Sequence, residues 1–133
     1  MKNLLLTFDL EEFDLPLEYG IKLSEKEQLR ISYLGLLNIL KILEVNNVRA
    51  TFFVTYNFAS HFPNALKNIA KKHEIALHGF SHSDDYNLMS DKDFLNLIGL
   101  CLVRLVLFMI VLLIQYSFLV GIIIFLLIEK FIL

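Results

Sequence analysis

The sequence predicts an α/β fold with a parallel sheet. Strand and helix signals alternate three times over residues 3–96. Each strand signal is a short apolar run, as in strands covered on both faces. A third observation divides the chain. Residues 1–96 are mixed and charged, whereas residues 97–133 are built almost entirely from Leu, Ile, Val and Phe. The hydrophobic share of 56% therefore describes neither part.

The first strand signal is the apolar run over residues 3–9, which ends on Asp9. Pro16 and Gly20 then mark a loop. Ser24 followed by Glu27 has the spacing of a capping box. Leu29, Tyr33, Leu36, Leu37, Leu40 and Leu43 recur at helical spacing behind it, predicting an amphipathic helix of about 20 residues. Asn46 and Asn47 supply its stop, because asparagine tolerates the left-handed backbone.

Residues 49–54, R-A-T-F-F-V, predict the second strand from their β-branched and aromatic content. Pro63 suits the first turn of the next helix, which turns Leu66, Ile69 and Ala70 inward and ends on Lys71 and Lys72. Residues 74–78 form the third strand signal, stopped by Gly79. Ser90 with Asp93 opens a third helix. The alternation implies a parallel sheet, open or closed into a barrel, although three strands cannot close one.

Composition excludes several functions. The net charge is −2 with Lys and Arg scattered, which argues against a nucleic-acid partner. The single cysteine, Cys101, rules out an internal disulfide and a cysteine-rich zinc site. The apolar run after Lys2 is too short for a secretory signal, and Asp9, Glu11 and Glu12 interrupt it at once. The expected location is the cytoplasm, or a membrane reached through residues 105–128.

Chemistry gathers near the ends of the first and third strands. Asp9 and Glu11 straddle one residue, so an extended chain points them to one side. His78 and His82 are four apart, which on a helical turn places both imidazoles on one face. In α/β folds the C-terminal edge of the sheet is where ligands bind. Two histidines and a carboxylate form a common catalytic zinc set with one position left for water. Separately these are weak signals: acids after a strand are commonly solvated, and H-x-x-x-H is frequent. At one sheet edge they point to a metal-assisted hydrolase.

Three motifs, T-F-D-L-E at 7–11, R-A-T-F-F-V at 49–54 and H-E-I-A-L-H-G-F-S-H at 73–82, resemble the polysaccharide deacetylase family, carbohydrate esterase family four. They stand in the family's order, and the resemblance covers residues 3–95. It implies that the chain is the N-terminal part of a distorted (β/α) barrel, three βα units, followed by a long apolar C-terminal helix. It implies a divalent metal, zinc in the first instance, and a carbohydrate substrate that loses N- or O-acetyl groups. Asp9 falls on the family's catalytic base, and His78 and His82 on its histidine ligands. Many members carry adjacent aspartates after T-F. Here the second position is Leu10, which cannot bind metal. Glu11 takes the ligand role by the pattern of some branches, with Asp14 a distant alternative.

The same resemblance places the leaving-group acid on a late histidine, and no histidine follows His82. The expected domains are a partial deacetylase domain over 1–96 and an apolar tail over 97–133. The tail can be read as a transmembrane helix over 105–128, as a buried helix, or as the out-of-frame translation of an AT-rich gene. The rival functions are a non-enzymatic membrane-anchored fragment and a relative acting on a non-sugar amide. In every case, little or no activity is expected of the isolated chain.

Overall fold

The computed structural model describes residues 4–114. The elements are β1 (Thr7–Leu10), α1 (Leu15–Glu18), α2 (Glu25–Val45), β2 (Thr51–Val54), α3 (Tyr56–His61), α4 (Pro63–Ala70), β3 (Glu74–Leu77) and α5 (Asp91–Ile114), with a 3-10 turn at Tyr86–Leu88 before α5. The strands form one parallel sheet in the order β1-β2-β3. This is the predicted α/β architecture.

Local chemistry sets the element ends. The Ser24 side chain accepts from the Glu27 N–H and starts α2. The reciprocal half of the capping box is absent. The Glu27 carboxylate instead accepts from the Arg30 guanidinium at 2.8 Å, because a charged partner one turn on binds it more strongly than a backbone N–H does. Asn46 caps α2, and Asn47 takes the left-handed conformation at φ 50°. Pro63 opens α4.

In a parallel sheet, register partners share a face. Phe8, Leu10, Phe52, Val54 and Ile75 pack into one core with Leu29, Leu36 and Leu43 of α2, Phe58 of α3, and Leu66 and Ile69 of α4. Phe8 stacks on Phe52 at 5.4 Å, and Tyr33 stacks on Phe62 at 4.6 Å. Burying a side chain such as Leu66 contributes about 2 kcal/mol. The other face carries Thr7 with Asp9, Thr51 with Phe53, and Glu74 with Ala76, none of them fully buried.

Several expectations need correction. Leu37 is 45% exposed, so the apolar stripe of α2 is narrower than its leucines suggest, and Gln28 lies inside instead, donating to the Leu23 carbonyl. Ala70 is exposed and Ala65 buried on α4. The first strand is Thr7–Leu10 rather than residues 3–9, with Leu4 and Leu5 exposed ahead of it. α1 and α3 were not predicted. Among the described residues no helix is long and apolar enough to cross a membrane. Most of the expected span over 105–128 lies outside the described residues, which end within it.

Candidate functional site

Three loops leave the C-terminal edge of the sheet and meet there. The loop after β1 brings Glu11, Glu12 and Asp14. The residues after β2, Thr55 and Asn57, begin α3. The loop after β3 carries His78, Ser81 and His82. Backbone bonds join the second and third segments: Tyr56 N–H donates to the Gly79 carbonyl at 3.0 Å, and Asn57 N–H to Phe80 at 2.9 Å. The His78 N–H donates to the Val54 carbonyl at 2.9 Å and continues the sheet pairing by one residue.

Glu11 faces both histidines. Its Oε2 lies 2.8 Å from His78 Nε2, and its Oε1 lies 3.5 Å from His82 Nε2. On its other side His82 meets Asp14, whose carboxylate oxygens are both 2.8 Å from Nδ1. That contact raises the His82 pKa above the ordinary imidazole value; the charges of Glu11, Asp14 and Glu12 add to it and burial opposes it. With Asp14 holding Nδ1–H, Nε2 is the nitrogen turned to Glu11.

The turn between the histidines is not helical. Gly79 sits at φ +90°, and a Cβ there would collide with the Tyr86 hydroxyl. The four-residue spacing brings both rings to Glu11 through this glycine turn, not through a helical face.

Asp9 stands apart. It lies exposed on β1 in register with Phe53 and takes no part in the contacts that join Glu11, Asp14 and the histidines. Asp14, expected at most as a ligand, is the orienting partner of His82. His61 closes α3, with Nδ1 2.9 Å from the Asn57 carbonyl. The His73 Nδ1 accepts from the Ala50 N–H. Neither ring belongs to the site. Arg104 lays its guanidinium 5.2 Å over the Tyr56 ring.

The residue that sequence reasoning missed is Glu12. It is only 4% exposed. Its carboxylate accepts from Thr55 Oγ at 3.0 Å, Asn57 Nδ2 at 2.5 Å and Ser81 Oγ at 3.0 Å, with a longer contact to the His82 N–H at 3.5 Å. The only available signal was the adjacency of two acids after a strand, since neighbours along an extended chain point to opposite sides.

The donor set suits a cation. Among the described residues no Lys or Arg pairs with Glu11, Glu12 or Asp14. Glu11 Oε2 is buried without a hydrogen-bond donor, because the 2.8 Å approach of His78 is not aligned as a hydrogen bond. Donors sharing one tetrahedral zinc lie roughly 3.3 Å apart. The Glu11–His82 distance is close to that, and Glu11–His78 is tighter. Among the described residues no group of three or more His, Cys, Asp or Glu side chains has the spacing of a metal site as it stands. The chemistry fits a metal, while the His78–Glu11 pair is too close for one.

Residues 36–98 match the model of the family described as polysaccharide deacetylase. The match covers a little under half of the chain, and over that segment the chain is similar to the polysaccharide deacetylase family. The matched segment runs from within α2 to the start of α5 with both site histidines, and begins after Glu11, Glu12 and Asp14. No curated protein and no solved structure matches the chain.

Proposed function

We propose that this chain supplies the metal-holding and base-bearing loops of a carbohydrate deacetylase. The carrying observation is Glu11 set against the Nε2 atoms of His78 and His82, within a fold that carries a polysaccharide deacetylase segment. The three parallel strands act as the opening strands of a (β/α) barrel, with a β1 edge and a β3 edge left for further strands.

Glu11, His78 and His82 would hold a divalent ion, zinc by their donor chemistry, and bound there it would polarise an acetyl carbonyl and acidify water to a pKa of roughly 7. Asp14 keeps the His82 tautomer that offers Nε2 to the site. Asp9 receives the proton of the attacking water as general base. Its exposure leaves it free of competing bonds among the described residues. Departure of the sugar amine requires a proton donor, and no histidine follows His82.

Ligand binding tests this reading. N-acetylglucosamine oligomers added to the zinc-treated full chain are expected to shift the imidazole NMR signals of His78 and His82. A response to a cyclic ureide, and none to the sugar, would move the reading to a non-sugar amide. Unchanged histidine signals with both would favour a non-enzymatic role.

A further inference from the structure

We infer that Glu12 is a positioning residue that fixes the loop carrying His82, an inference resting on the metal-site reading above. Glu12 is nearly sealed from solvent and uses both carboxylate oxygens. Oε1 gathers Asn57 and Ser81, and Oε2 gathers Thr55 and the His82 N–H. These donors come from two different loops, and Glu12 comes from a third. A buried carboxylate is costly unless its lone pairs are filled. All four donors are neutral, so satisfying the carboxylate draws the three segments into one arrangement.

The consequence falls on His82. Its main chain is held from the Glu12 side by its own N–H and by the neighbouring Ser81, whose N–H is in turn held by Asp84 at 3.0 Å. Its ring is held from the Asp14 side. Glu11, adjacent to Glu12, points the other way and keeps its Oε2 free of donors. The Glu11-Glu12 pair thus divides the work: one acid meets the imidazoles, and the other anchors the loop that presents them.

Charge and position are separable. Glu25 shares the Asn57 amide with Glu12 at 2.8 Å but is exposed and contacts neither Ser81 nor His82. Glu25→Gln removes a nearby negative charge and leaves the loop anchored. Glu12→Asp keeps the charge but shortens the reach, and Glu12→Gln turns an amide donor toward donors. Zinc affinity of the full chain by calorimetry is expected to fall at least tenfold for Glu12→Asp and Glu12→Gln, within the about 10–100-fold usual for residues that orient ligands. Glu25→Gln should change it less than about twofold. Retained affinity in Glu12→Asp, or an equal loss in Glu25→Gln, overturns the inference.

In the metal-free chain, the His82 backbone amide should shift and its ring signals broaden in both Glu12 variants and not in Glu25→Gln. This readout holds even if the wild type binds no zinc, a result that would sink the metal-site reading while leaving the role of Glu12 decided by the spectra. Should Glu12→Asp fail to fold, Ser81→Ala carries the test. It removes one anchor and must shift the His82 amide in a chain that still melts cooperatively; an unmoved amide refutes the positioning role.

Discussion

The Asp14 carboxylate holds the Nδ1 side of His82 at 2.8 Å, and so decides which face of that imidazole the site receives. The bond also lifts the His82 pKa. Its removal in Asp14→Asn should bring the ring back toward the ordinary value near 6.5. Proton NMR titration of the metal-free chain reads this directly. If the His82 midpoint stays where it was in the variant, the bond is not formed in solution.

His73 moves in the opposite direction. Burial lowers its pKa, and Lys72 and Arg49 lower it further. A depressed folded pKa means the unfolded chain binds more protons, so stability is fully present above about pH 6.5 and falls as pH drops toward the folded value. His82, raised, has the reverse sign and gains stability as pH falls. The two are separated by comparing variants. On going from pH 7.5 to 5, the wild type should lose more melting temperature than His73→Asn, whose amide oxygen can stand in for Nδ1 as acceptor of the Ala50 N–H. An equal or smaller loss in the wild type would contradict the burial argument.

Gly79→Ala should destabilise the fold by about 1–3 kcal/mol, the cost of a side chain at a positive φ. It also meets the Tyr86 hydroxyl. Adding Tyr86→Phe removes the collision but not the strained backbone, so the double variant should recover part of the loss. Chemical denaturation of the single and double variants measures both terms. Full recovery would place the whole cost in the collision.

The helix faces give a packing test. Leu66 is fully buried on α4, and Leu66→Ala should cost about 2–5 kcal/mol. Leu37, at 45% exposure, should cost less than about 1 kcal/mol on the same substitution. Similar losses at the two positions would return Leu37 to the core face that its leucine spacing first suggested.

These contrasts explain what the sequence made legible. Ser24 and Ser90 act through bonds to residues within one turn, and Asn47 and Pro63 through their own backbone angles, so their roles could be read locally, and α2, α4 and α5 begin or end where they direct. The three strands were legible because each is a short apolar run beside a helix. α3 was not, since six residues cannot display a helical period, and its cap, Thr55, reads as the end of a strand. His78 and His82 were found by motif, yet the geometry joining them depends on a glycine turn rather than a helical face. Glu12 was invisible because its four donors lie more than forty residues away along the chain. Asp9 was read as the acid that ends the first strand, whereas the strand runs on through Leu10, and its exposed setting joins none of the contacts at the site.

The account rests on one cation-binding set, Glu11 with His78 and His82. Calorimetric titration of zinc into the metal-free full chain tests it most directly. The account predicts one equivalent bound per chain, with Glu11→Gln, His78→Ala and His82→Ala each weakening binding by more than the roughly 10–100-fold expected for a residue that only orients a ligand. No stoichiometric binding, or binding that survives all three substitutions, would contradict it.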